Sequence, residues 1–108
     1  FRRVLFRSAP VKLIISWDIV QDREQEYFEF LIREFLPGMQ KLGFELSDAW
    51  ATVFGNEPQI LVGAVLPSLE QANDLLASSD WTSLHNRLLD YVENYSQKLV
   101  SARGGFQF

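Results

Sequence analysis

Cysteine is absent from this 108-residue chain, and histidine occurs once. The lack of cysteine excludes a disulfide scaffold, thiolate metal sites and a cysteine nucleophile. The single His85 excludes a multi-histidine metal centre. Positive charge is also short, with ten Lys and Arg against fourteen Asp and Glu and a pI of about 4.9. That balance argues against a nucleic-acid partner. No apolar run approaches the ~20 residues that a helical membrane span needs, so no membrane partner is expected. There is no glycine-rich phosphate loop: Gly104-Gly105 is expected to end a helix rather than start one. There is no Gly-x-Ser-x-Gly elbow to support a Ser-His-Asp triad. No metal and no cofactor are expected.

Apolar bulk is what the chain has in quantity. Hydrophobic residues make up 47% of it, with nine Phe, three Tyr and three Trp. Such a composition folds around a core, and the length suits one domain. Residues 1–8, Phe-Arg-Arg-Val-Leu-Phe-Arg-Ser, resemble one reading frame of a short-read sequencing adapter joined to a metagenomic open reading frame. They are read as non-native, leaving residues 9–108 as the expected single domain. Setting aside Arg2, Arg3 and Arg7 leaves seven basic residues against fourteen acidic ones, a formal charge of −7. The segment is too short and too charged for a secretory signal, and a cytoplasmic location is expected.

Val11 to Ile19 alternates, with Val11, Leu13, Ile15, Trp17 and Ile19 on one side, which predicts a strand. Asp22 to Leu42 predicts a helix. At roughly 100° per residue, Phe28, Leu31, Ile32, Phe35, Met39 and Leu42 share its apolar face, while Tyr27 and Phe30 fall off it. Pro37 should kink or restart this helix near Leu36, and Gly43 should stop it. Phe44–Phe54 and Gln59–Leu66 predict a hairpin around Gly55-Asn56-Glu57-Pro58. A short helix is predicted over Leu69–Ala77 with Ser68 as its cap. A long amphipathic helix is predicted from Trp81 to about Ala102, with a cap at Ser79-Asp80, and Phe106-Gln107-Phe108 would begin a last strand. The order βαββααβ is the split β-α-β, ferredoxin-like α+β plan with an antiparallel sheet. The third strand is apolar on both faces, which implies cover on both. Two sheets face to face in a homodimer would supply it.

The chain resembles the dimeric α/β-barrel superfamily, near its NIPSNAP-like and antibiotic-biosynthesis-monooxygenase-like branches. The resemblance is carried by Val11–Ile19, Gln40-Lys41-Leu42-Gly43, Ala49–Leu66, and the stretch from Ser79-Asp80-Trp81 to Tyr91-Val92-Glu93-Asn94-Tyr95. It covers about residues 11–108 and brings no catalytic signature. It implies a ferredoxin-like dimer and leaves several activities open, including cofactor-independent oxygenation, heme chemistry and isomerisation. Some heme-binding members use a helix histidine. The heme-degrading branch also uses an Asn on its first strand, where this chain has Ser16 and Asp18.

His85 is the leading candidate catalytic residue. In the predicted helix it lies within about 40° of Trp81, Leu88, Val92, Tyr95 and Leu99, so it faces the apolar side. It is read as a neutral core histidine, as an acid or base, or as a ligand to heme. Asp48 is the second candidate. It is mid-strand, on the predicted face of Leu46 and Trp50. It would either pair with His85, form an inter-subunit salt bridge, or be turned outward by a bulge. Asp18 ends its strand and can simply be solvated. Trp17, Trp50, Trp81 and Tyr95, with Phe54 and Tyr91, are core residues or the lining of a site for a flat aromatic or apolar ligand. Three functions remain in competition. One is a homodimer that binds a small molecule. Another is a cofactor-independent monooxygenase or isomerase acting on an aromatic or polyketide-like substrate. The third is an interaction protein without a ligand.

Overall fold

The structure is a computed structural model that describes residues 10–51 and 59–102, apart from the side chain of Trp50. In chain order its elements are β1 (Val11–Ile19), α1 (Glu24–Phe30), a π-helical turn (Leu31–Phe35), α2 (Leu36–Leu42), β2 (Glu45–Ala51), β3 (Ile60–Leu66), α3 (Leu69–Leu76), α4 (Ser79–Leu88) and β4 (Val92–Ser101). The four strands form one antiparallel sheet in the order β2-β3-β1-β4. This is the ferredoxin-like α+β fold, in the expected βαββααβ order. The predicted hairpin turn at 55–58 and the strand at 106–108 lie outside the described residues.

The alternation of β1 works as expected. Leu13, Ile15 and Trp17 are buried against the helices together with Val62, Ala64 and Leu66. Lys12, Ile14 and Ser16 face the other way, opposite Val65, Gly63 and Leu61 of β3. Gly43 ends α2 with φ of 111°, a backbone state that glycine adopts without a Cβ clash. Ser68 caps α3 by accepting from the Gln71 amide at 3.1 Å. Ser78, one residue before the predicted cap, accepts from the Trp81 amide at 3.2 Å.

Two expectations are corrected. The first concerns the face that the first helix buries. Tyr27 and Phe30 are 0% and 3% exposed, whereas Phe28 and Ile32 are 45% and 64% exposed. The π turn is the cause. Its wider ring adds one residue, so the buried positions run Tyr27, Phe30, Phe35, Met39. The segment ahead of the turn is thereby rotated by about 100° relative to an uninterrupted helix. The helix does restart at Leu36, and Pro37 sits in the first turn of α2, where its missing donor costs least.

The second correction concerns the chain after Leu88. The long helix does not form. Leu89 and Tyr91 close the end of α4 through the carbonyls of His85 and Leu88, at 3.1 and 2.9 Å. The Val20 amide then takes the Tyr91 carbonyl at 3.1 Å, and the chain pairs with β1 as β4. Without β4, one whole edge of β1 would lack hydrogen-bond partners. A bulge explains how β4 imitated a helix. Between the pairs Ser16–Ser96 and Asp18–Glu93, β4 carries one more residue than β1. Asn94 lies in that bulge at φ of 57°, and its Nδ2 donates to Asp18 Oδ2 at 2.9 Å. Val92 and Tyr95 therefore point inward three residues apart, and Leu99 follows at period two from Tyr95. The resulting spacing is indistinguishable from a helical stripe.

Candidate functional site

Four aromatic or imidazole side chains meet where α4 approaches β1 and β4. Trp17 projects from the buried face of β1. Tyr95 leaves the bulge of β4 and lies parallel to Trp17, with ring centroids 6.3 Å apart. His85 and Trp81 are one helical turn apart on α4 and stack at 5.8 Å. His85 also meets Tyr95 edge to face at 4.6 Å. Of the four residues expected to contact a ligand, Trp81 and Tyr95 touch His85, and Trp17 joins them through Tyr95. The side chain of Trp50, like Phe54, lies outside the described residues.

Trp81 is a fixed wall, buried between Phe35 and Phe44. Trp17 is anchored by donating Nε1–H to the Tyr27 hydroxyl at 2.9 Å. Burial drives the Tyr27 hydroxyl up to about 12, with the Trp17 hydrogen bond opposing the shift. Burial also raises the Tyr95 hydroxyl above its ordinary range and pushes the His85 imidazole below its ordinary value. At neutral pH the imidazole is therefore uncharged, with one nitrogen able to donate and the other to accept. Its Nε2 is buried and has no hydrogen-bond partner among the described residues. A buried polar atom without a partner is costly, and such atoms are rare in folded chains.

Gln97 was not among the residues singled out from the sequence. It sits on the helix-facing side of β4, opposite Ile15, yet it is exposed. Its Oε1 accepts from the Tyr95 hydroxyl at 2.8 Å. The cluster therefore meets solvent along β4. The signal for this lay in the alternation Tyr95, Gln97, Leu99, which becomes legible once the segment is recognised as a strand.

Asp48 lies elsewhere, so a His85–Asp48 pair is corrected. Between the pairs Leu46–Ala64 and Asp48–Gly63, β2 carries Ser47 as an extra residue. The bulge keeps Leu46 inward and turns Asp48 to the opposite face of the sheet. There its carboxylate pairs with Lys12 Nζ of the same chain, directly over Gly63. A Cβ on Gly63 would fall 2.8 Å from Lys12 Cε and 3.2 Å from Asp48 Oδ2, so a side chain there would make the end of Lys12 shift. Asp18 accepts from Asn94 and from the Gln59 amide, both at 2.9 Å, and these bonds lower its pKa, with Asn94 contributing most. It ties the ends of β1, β3 and β4 together and takes no part in the aromatic cluster.

No protein-family model and no curated protein matches the chain. Solved structures do. A NIPSNAP family protein from Agrobacterium tumefaciens is 19% identical, with 90% of this chain and 89% of that one covered at a TM-score of 0.66. A putative antibiotic biosynthesis monooxygenase from Nitrosomonas europaea is 10% identical, with 93% and 96% covered at 0.65. A protein of the ethyl tert-butyl ether d (EthD) family from Bacillus halodurans is 13% identical, with 83% and 95% covered at 0.66. At these identities the likeness concerns the backbone. The sheet order, the broken first helix and the paired α3–α4 segment thus give this chain the ferredoxin-like fold shared by NIPSNAP family proteins and proteins resembling antibiotic biosynthesis monooxygenases.

Proposed function

We propose that this chain is a cytoplasmic, single-domain homodimer that binds a small, flat, aromatic or apolar molecule at the Trp17–Trp81–His85–Tyr95 cluster. One observation carries the proposal: His85 Nε2 is buried beside aromatic rings and has no hydrogen-bond partner among the described residues. A ligand that places a hydroxyl or keto group against Nε2 removes the cost of that orphaned atom, and the rings supply apolar contact. The homodimer is supported by the outer sheet face, where Ile14, Leu61 and Val65 surround the Lys12–Asp48 pair.

A second function, cofactor-independent oxygenation or isomerisation, is favoured by the same imidazole. A neutral base in dry surroundings can take an acidic proton from a substrate whose own carbanion then carries the chemistry. The shared fold with a putative monooxygenase supports this alternative.

The test is His85→Ala, assayed for quenching of tryptophan fluorescence by naphthol and for thermal stability. Binding should weaken by about tenfold, the effect of losing a hydrogen bond to a buried polar group, while melting changes little. If naphthol binding is unchanged and the variant loses about 1–3 kcal/mol of stability, His85 is a core residue only.

A further inference from the structure

We propose that Tyr95 is a gate over His85 Nε2, latched by Gln97, and that the ligand enters by taking the place of the Tyr95 ring on Trp17. The gate rests on the ligand site proposed above and adds how that site opens. A buried Nε2 cannot meet a ligand unless one of its neighbours moves. Trp81 is locked among Phe35 and Phe44 on the core side. Tyr95 is held differently. Its ring leans on Trp17 and His85, and its hydroxyl donates to Gln97, an exposed side chain. The latch therefore stands at the surface, where a polar group of an incoming molecule competes for it.

The backbone favours the same side chain as the moving part. Among the described residues β4 is an edge strand, with β1 as its one neighbour. Tyr95 directly follows Asn94, which holds a left-handed conformation in the bulge. Bulged edge segments lack part of the ladder that holds a central strand. When Tyr95 swings toward solvent, it uncovers the face of Trp17, the His85 Nε2 atom and the side-chain amide of Gln97 together. That combination suits a planar, hydroxyl-bearing aromatic molecule, chemically a copy of the phenol it displaces. The closed state is thus occupied by the chain's own stand-in for its ligand.

The sole imidazole makes the gate measurable on the full chain, because the ultraviolet absorbance of the carbethoxyimidazole formed by diethyl pyrocarbonate reports on His85 alone. Gln97→Leu and Tyr95→Phe both remove the latch and keep a six-membered ring in place. Each should carbethoxylate about fivefold faster than the native chain, the population shift expected from losing one neutral hydrogen bond. Tyr95→Ala, if it folds, should react faster still. Naphthol should bind Tyr95→Phe more tightly by the same factor, because the competent state is more populated. Native reactivity equal to that of both latch variants overturns the gate. If reactivity follows the latch but naphthol binds none of these proteins, the gate stands and the ligand site falls. If naphthol binds equally to all while reactivity is constant, the site stands and the gate falls.

Discussion

His85 and Asp18 are the two residues whose surroundings make folding sensitive to pH in opposite environments. Burial holds the His85 imidazole below the ordinary 6.5. The unfolded chain then binds a proton before the folded one does, so stability is full above 6.5 and falls as pH drops through that value. Asp18 is lowered from 3.8 by accepting hydrogen bonds from Asn94 and Gln59. Its contribution is present above 3.8 and is lost as pH falls below it, because the unfolded chain's carboxylate takes up a proton before the folded one does. Melting temperature plotted against pH should therefore show two acid-side declines. His85→Gln should flatten the upper one and Asp18→Asn the lower one. An unchanged upper decline in His85→Gln would assign it to another group.

At the scale of elements, a single inserted residue decides which side of the first helix is core. The sequence is compatible with two stripes, Phe28-Leu31-Ile32-Phe35 and Tyr27-Phe30-Phe35, because aromatic and aliphatic residues are dense on both. Pro37 breaks the tie, since the backbone ahead of it cannot keep a regular ladder. Once the turn widens, Phe30 stacks on Tyr91 at 5.1 Å and Tyr27 reaches Trp17. Arg87 closes over Phe30 and pairs with Glu34 at 2.5 Å, tying α4 to the π turn. Phe30→Ala should consequently cost about 3–5 kcal/mol, as for other buried aromatics. Ile32→Glu, on the exposed side, should stay within about 0.5 kcal/mol. Denaturant titration of the two variants separates the two helix phases, and the opposite ranking would restore the uninterrupted helix.

At the scale of the molecule, the described residues place helices on one face of the sheet and none on the other. Both edge strands, β2 and β4, carry bulges, which disfavour edge-to-edge addition of further strands. Association through the outer face remains open to a second copy. Leu61 and Val65 are half-buried there, and Ile14 between them and β4 is 6% exposed. A dimer formed through this face should appear at twice the 12.5 kDa chain mass in light scattering at micromolar concentration. Leu61→Glu, opposite Ser16 on that face, should reduce it to the monomer while the far-UV spectrum is retained, because a carboxylate would be buried at the contact. A native monomer at micromolar concentration would remove the homodimer.

Local patterns were sufficient wherever one period dominated. The alternation of Val11–Ile19, the Ser68 cap, the Gly43 stop and the order of elements as far as α4 were all legible from residue type and spacing. So was the approach of His85 to Trp81, which needs only the helical turn between them. The sequence could not decide between two hydrogen-bonding partners for the same residues. Val92, Tyr95 and Leu99 match a helix by spacing, and only the open edge of β1 makes them a strand. The side of Asp48 and the burial of Tyr27 each depend on one extra residue, Ser47 in β2 and the widened turn before Leu36. An inserted residue changes no local propensity, but it reverses or rotates every side chain on one side of it. Whether it is accommodated is settled by the neighbouring strand or helix, and that is a property of the tertiary structure alone.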